Sequence, residues 1–587
     1  MRAIIRIMLV VAGFVAMSTA SDRYEAEEAI VDENSIQKVA DSKASGGFYI
    51  NMKEGNLSFT VDVENSGFFT IWTSYSQPND ENGKIQNLTV NGVSAGQISF
   101  PKADTFVHIK ASSKVKLSKG SNTIGITKSW GWVNIDYIEL TPFEPTPFLI
   151  SSNLVTPNPS ENARKLYSFI CENFQKKIIS GAMTNTVMQN DGKYTPNTIE
   201  NQTEMAWIKE ASGKFPALLG FDFLHATGLK SDGEWYHGYT NATIAMAEEI
   251  YKKGGIPVFC WHWKDPSQEV EAFYSPSSNN TPYTSFNLKK AYSDTSTCET
   301  FNTSSEEYKA IVKDIDIVAT YLKKLSDKGI PILWRPLHEA SGKWFWWGYS
   351  GAKACKGLYL LLFKRLNDFH GLNNLIWVWT TDEAGDALEW YPGDAYVDIN
   401  GRDYYYYPRE ANHGSLVASF EKIKEIFGGR KIITLSENGS IPHPDSLVSH
   451  GAGWSYFMPW YGDYTMDGWA HDNTASDWRS ILNHEYVITL DEMPGWENYS
   501  VASKLNFKKL SSNDISIHLE NGIITLNSKH IQHAAIYTLN GTRISSISKV
   551  SPESGEYKLN LGRFAKGLYI VQIGTSTGNV AKRVLIR

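Results

Sequence analysis

Two carboxylates end apolar runs in this chain, and their neighbours make them candidates for chemistry. The first run is Ile330-Pro331-Ile332-Leu333-Trp334-Arg335-Pro336-Leu337-His338-Glu339, with Trp344, Trp346 and Trp347 close behind. The second is residues 431–437, ending in Glu437. Two carboxylates facing each other across a cleft can hydrolyse a glycosidic bond: one stays protonated to help the leaving oxygen depart, and the other attacks the anomeric carbon. A separation of roughly 5–5.5 Å favours the covalent, retaining route. Glu339 is assigned as acid/base, because apolar and aromatic neighbours raise a carboxyl pKa. Glu437 is assigned as nucleophile, with Tyr405 placed to donate a hydrogen bond to it. A structural alternative for Glu437 is a strand-end charge paired with Arg335. Trp460 is expected to floor the cleaved subsite and Trp344 to stack on the leaving-group side, where an indole face suits a sugar's C–H face. His262 and His338 can bond substrate hydroxyls or hold the carboxylates.

These side chains need a frame. Eight strand-like runs are expected at 178–183, 216–223, 256–263, 330–339, 374–380, 396–405, 431–437 and 453–460. Helical patterns fall at 204–211, 242–253, 306–328, 352–369 and 416–427, after an opening one whose single face is Ala163, Leu166, Tyr167, Ile170 and Phe174. Strands alternating with helices imply a parallel sheet, and eight of them a closed (β/α)8 barrel of the α/β class. Such barrels carry their sites at the C-terminal ends of the strands. Those ends hold Asp222, His262, His338, Glu339, Asp403, Tyr405, Glu437 and Trp460.

Around this frame, 587 residues imply about three domains. The hydrophobic fraction is 42% and the charged fraction 20%, as in a globular chain. A net charge of −7 without a long basic run argues against a nucleic-acid partner. Residues 1–20 read as a signal peptide: Arg2 and Arg6, an apolar stretch, then Ser18-Thr19-Ala20. The mature protein is expected to be exported, soluble and monomeric. Four cysteines allow up to two bridges in three pairings, and Cys260 lies in an apolar strand pattern that suits a buried thiol.

Residues 21–142 alternate as a β-sandwich does, and 143–159 form a proline-rich linker. Glu25 and Glu27 lie two apart on an expected strand, and Asp136 lies in the last strand of this segment. If first and last strands pair, these oxygens can hold a hard cation such as calcium; solvated edge charges are the alternative. The barrel is expected over 160–494, a linker over 495–512, and a second small β-sandwich over 513–587, without a tryptophan after Trp496.

Three resemblances follow from these residues. Tyr24-Glu25-Ala26-Glu27, Gly120-Ser121-Asn122-Thr123-Ile124 and Trp130-Gly131-Trp132-Val133-Asn134-Ile135-Asp136 resemble a family 35 carbohydrate-binding module. That implies structural calcium near Glu25, Glu27 and Asp136, and a sugar site including Trp130 and Asn134; Trp132 fits either core or site. Trp334 to Glu339 with Trp344, Trp261-His262-Trp263, Gly401-Arg402-Asp403-Tyr404-Tyr405, Ser436-Glu437-Asn438-Gly439 and Tyr456 to Trp460 resemble glycoside hydrolase family 26. That implies a retaining endo-β-1,4-mannanase acting on β-mannan without a catalytic cofactor, Glu339 and Glu437 being its catalytic pair. It also implies substrate contacts from His262, His338, Trp344, Tyr405 and Trp460. Some relatives cleave xylan or mixed-linkage glucan, and a degenerate barrel would only bind polysaccharide. Tyr461 stands where some mannanases have arginine. The tail's Ile536-Tyr537-Thr538-Leu539-Asn540-Gly541, Gly567-Leu568-Tyr569 and basic end resemble the sorting domain of type IX secretion, which implies the type IX machinery as a partner.

Overall fold

The computed structural model describes residues 22–500 apart from 32–34 and 82, and, in the tail, strand segments between 516 and 586. The expected signal peptide and the expected 495–512 linker from residue 501 on lie outside the described residues. The chain divides into two compact units, one ending at Tyr499 and the other covering Ser500–Arg587.

The N-terminal part is two antiparallel sheets of six and five strands. Strand Leu57–Val63 alternates buried and exposed side chains, so Leu57, Phe59, Val61 and Val63 face the other sheet. The first strand, Asp22–Glu25, pairs antiparallel with the last, Asn134–Pro142, Glu25 opposite Tyr137. Glu25 and Glu27 do not share a strand, however. The strand stops at Glu25, and Ala26–Glu28 form a 3-10 turn that buries Ala26.

The barrel starts with helix Glu161–Asn173, capped by Ser160 accepting from the Ala163 amide and burying Ala163, Leu166, Tyr167 and Ile170. Seven parallel strands run in sequence order: Gly181–Met183, Leu218–Asp222, Ile256–Cys260, Ile332–Arg335, Leu375–Thr380, Ile399–Tyr404 and Ile432–Asn438, here strands 1 to 7. Residues 453–460 close the ring as an irregular eighth strand. On one side the Ser455 amide donates to Ile433 O and the Leu435 amide to Tyr456 O; on the other, the Ile179 amide donates to Ser455 O and the Phe457 amide to Ile179 O. The expected run 178–183 is split, its first half pairing with Val487–Ile488. Strand 4 is shorter than expected. It ends at Arg335, because Pro336 has no amide to donate, and Leu337 and Glu339 then take left-handed backbone (φ 53° and 55°). All four cysteines are free thiols, with Cys260, Cys298 and Cys355 buried.

The sandwich packs against the barrel. Lys110 and Ser113 reach Glu425, and Lys114 reaches Glu421, both on barrel helix Val417–Ile426. Asn87 donates to Tyr407 O on the loop after strand 6. In the tail unit, Ser516–Glu520, Ile523–Asn527 and Glu556–Asn560 form one antiparallel sheet, and four further strands form another. Among the described residues no helix is long and apolar enough to cross a membrane.

Candidate active site

Strand 4 ends in the wholly buried Arg335, and the turn after it turns Glu339 into a cleft. Left-handed backbone costs a non-glycine residue about 1–3 kcal/mol, which tight packing around the turn must offset. Leu337, His338 and Ala340 are buried there, and the Trp347 indole donates to His338 O. Strand 7 brings Glu437 to the opposite wall. One oxygen each of Glu339, Asp403 and Glu437 lies within 4.8 Å of the other two. Oxygens of the two glutamates that approach this closely suit the retaining route, whose carboxyls lie about 5–5.5 Å apart, better than the wider inverting arrangement.

The two glutamates have different surroundings. Glu437 Oε2 accepts from Arg335 Nη2 at 2.5 Å and Oε1 from the Tyr405 hydroxyl at 2.6 Å, so both oxygens are held in place by donors. The pairing of Arg335 with Glu437 therefore coexists with the catalytic placement. Among the described residues, the Glu339 carboxyl has the Trp344 indole N–H as its donor, at 2.9 Å to Oε2. Burial, then the negative charges of Asp403 and Glu437, push its pKa up to about 8. One carboxyl is thus kept protonated near neutrality, and the other is fixed by two donors.

The histidines form a relay at the cleft floor. His262 Nδ1 donates to Asp222 Oδ2 at 2.5 Å, and the His262 amide donates to Oδ1 at 3.0 Å. Burial alone would raise Asp222, but the His262 contacts bring its pKa below the usual value. His262 Nε2 meets His338 Nε2 at 3.2 Å. Burial, with Arg335 and His262 alongside, holds His338 well below its ordinary pKa, so it is neutral.

The cleft encloses about 380 Å³ and is lined by Glu339, Glu437, His262, His338, Tyr405 and Trp460, among others. Trp344 lies at its rim, 39% exposed. Asp222, Asp403 and Tyr461, which the sequence marks without giving them a site role, and Tyr464, which it does not mark, are all site neighbours. Asp403 accepts from Arg335 at 2.6 Å and from Ser436 at 2.6 Å, and burial lifts its pKa to about 6. The strand-end rule pointed to Asp222 and Asp403. Phe273, Tyr274 and Phe345 arrive on loops that gave no signal.

In the sandwich, Trp130 and Trp132 are exposed, 49% and 46%. Trp132 is therefore not core. Lys84 sits over the Trp130 ring, Trp132 donates to Glu54, and Asn134 donates to Ser76. Ser45 clamps the carboxylates beneath: its amide donates to Asp136 Oδ1 at 2.8 Å and its hydroxyl to Glu25 Oε1 at 2.9 Å. Glu25 Oε2 and Glu27 Oε2 are buried without a hydrogen-bond partner. Burial first, and then mutual repulsion, raises the pKa of Glu27 and Asp136. Orphaned, repelling oxygens are the donor set a hard cation wants. Among the described residues, the acidic groups converging within 4.8 Å are those of the cleft, and these three spread wider.

Comparisons with known proteins agree with this geometry. The model of glycosyl hydrolase family 26 matches residues 155–492, more than half the chain. The chain belongs to glycosyl hydrolase family 26. The family 35 carbohydrate-binding module matches 22–143, and the secretion system C-terminal sorting domain matches 511–587. A mannan endo-1,4-beta-mannosidase of Thermothelomyces thermophilus is 31% identical over 82% of this chain and 92% of its own length. A β-mannanase from a symbiotic protist of the termite Reticulitermes speratus, solved with a gluco-manno-oligosaccharide, is 44% identical over 60% of this chain and all of its own (TM-score 0.53). A Podospora anserina β-(1,4)-mannanase combining the same two families is 30% identical over 81% of this chain and 99% of its own (TM-score 0.52). In this family 26 chain the aromatic and acidic strand ends lie within one fold shared with those enzymes.

Proposed function

We propose that this protein is a secreted, retaining endo-β-1,4-mannanase cleaving mannan, glucomannan or galactomannan by double displacement. The carrying observation is the pair Glu339 and Glu437, close together, the first pushed up in pKa and the second held by Arg335 and Tyr405. The mannanases similar to this chain support mannan as the polymer. In the first step Glu437 attacks the anomeric carbon while Glu339 gives its proton to the departing oxygen. In the second, Glu339, now a carboxylate, takes a proton from water, which attacks the same carbon and releases Glu437. Arg335 and Tyr405 steady the nucleophile's charge through both steps. Trp460 and Trp344 offer stacking faces on either side, and the neutral His338 and the Asp222-bound His262, joined through their Nε2 atoms, line the cleft.

The N-terminal module would bind the same polymer through Trp130 and Asn134, raising its effective concentration at the cleft. Glu25, Glu27 and Asp136 would hold a structural calcium, whose charge relieves their repulsion. The tail's match to a sorting domain supports export through a type IX route. Reducing-sugar release from purified mannan, xylan and mixed-linkage glucan tests the reading. Mannan is expected to be turned over far faster than the other two. Preferred release from xylan or mixed-linkage glucan would sink the mannanase assignment.

A further inference from the structure

Three of the most exposed large aromatics among the described residues stand on the catalytic face or on the module docked to it. Trp469 is 69% exposed, Tyr407 64% and Trp130 49%. Their supports connect to one another and to the nucleophile. Tyr405, which holds Glu437, lies edge-on to Tyr464 with ring centroids 5.0 Å apart. The Arg409 guanidinium sits 3.7 Å from the Tyr464 ring and 4.9 Å from the Trp469 ring, and is fixed by Asp472 at 2.7 Å. Arg409 follows Tyr407 by two residues on the loop after strand 6, and Tyr407 O accepts from Asn87 of the module at 2.9 Å. Asn87 lies two residues along its strand from Ile85, the partner of Trp130. Lys84, next to Ile85, covers the Trp130 ring at 4.4 Å.

The Trp469 indole is left mostly in water yet braced by an ion pair whose carboxylate is buried. Apolar surface normally gains by turning inward, and bracing it outward prepares it to be covered by something else. A β-linked hexose polymer presents C–H faces repeatedly along one chain, which suits aromatics set apart on a common ridge.

Resting on the mannanase reading, we infer that Trp469, carried on Arg409, and Tyr407, two residues before that arginine, form a sugar-binding ridge that leads one polysaccharide chain from the cleft to Trp130 on the module. The module then extends the cleft as well as tethering the enzyme. This ridge is separate from the subsite floored by Trp460.

The test uses the full chain and two substrates, mannotetraose and a long glucomannan. Trp469→Ala and Tyr407→Ala should each lower kcat/KM on glucomannan by about three- to tenfold, the range one lost aromatic contact spans, with a much smaller change on mannotetraose. Trp469→Phe should recover most of the loss. In the Glu339→Gln background, affinity for glucomannan should rise with chain length, and Trp469→Ala or Trp130→Ala should flatten that rise. Thermal melts of all variants identify any that fail to fold. Equal losses on both substrates, or no loss on the polymer, overturn the ridge. A wild-type protein that turns over neither substrate overturns the mannanase reading instead. The binding series in Glu339→Gln still judges the ridge in that case.

Discussion

Arg335 donates through Nη2 to Glu437 Oε2 at 2.5 Å, and the arginine is wholly buried. Its Nη1 holds Asp403 at the same time, at 2.6 Å. One cation thus neutralises two carboxylates that would otherwise repel across the barrel interior. Removing one partner of such a buried set costs about 3–5 kcal/mol, because the remaining charges are left unpaired. Arg335→Met is expected to lower the melting temperature by many degrees and abolish turnover. Arg335→Lys, a point charge without the planar fork, should fold better but stay impaired. Calorimetry and activity on mannan check both, and a melt unchanged in Arg335→Met would contradict the role.

The roles of the two glutamates separate kinetically. Glu339→Ala should lose roughly 10²–10⁴ in kcat on polymer, the span of general acid catalysis. A substrate whose leaving group needs no proton should restore the first step alone, so a glycosyl-enzyme accumulates and shows as a burst. Azide should then speed release and give a β-configured glycosyl azide. Glu437→Ala should show neither burst nor azide-derived β-product. A burst in Glu437→Ala would refute its assignment.

The catalytic pair was legible because each carboxylate ends an apolar run, and a buried strand has little reason to finish in Glu unless it faces a cavity. The barrel was legible for the same reason, through runs such as Leu375–Thr380 that bury every residue. Chain ends of elements were harder. Pro336 and the left-handed turns at Leu337 and Glu339 stop strand 4 early, and periodicity does not sense backbone sign. Ala26–Glu28 form a 3-10 turn, so Glu25 and Glu27 share a side, both reaching Gly46, without sharing the expected strand. The His262–Asp222 bond joins residues forty apart, and Tyr274 and Phe345 reach the cleft on loops. Contacts of that kind are decided by tertiary packing.

Activity should follow the acid's ionisation. Glu339 must be protonated in the free enzyme, and its pKa is about 8, so kcat/KM should fall as pH rises through that region. Asp403 is the largest of the charges that raise it. Asp403→Asn removes a like charge, and the alkaline limb should move to lower pH. A limb that stays in place or moves up would show that Asp403 does not tune the acid.

Stability should also depend on pH, with the sign set by buried carboxyls. Burial pushes Asp314 and Asp398 to about 7 and Asp403 to about 6, each above its unfolded value. The folded state then binds more protons than the unfolded state between about pH 4 and 8, so stability falls as pH rises across that window. Melting temperatures should be higher near pH 5 than near pH 8. A melt that rises steadily from pH 5 to 8 would contradict these buried, protonated acids.

The module gives a final test. Burial, and then the charge of Glu25, raises the pKa of Glu27 and Asp136, and buried oxygens of Glu25 and Glu27 lack partners. Gly46 packs directly above them at φ +65°, where a Cβ would lie 2.4 Å from Glu27 Oε1. A bound cation stabilises only the folded module, by RT ln(1 + [L]/Kd), or about 2.7 kcal/mol at a hundredfold excess over Kd. Chelation should therefore lower the melt, and added calcium should restore it. Magnesium should restore it poorly, because it demands a stricter octahedral shell. Glu27→Gln and Gly46→Ala should each remove the calcium response, one by deleting charge and the other by crowding the cradle. Calcium-dependent melting that survives in Glu27→Gln would place the ion elsewhere. A wild-type melt indifferent to chelation would leave these carboxylates as mutually strained acids held by Ser45 and Ser74 alone.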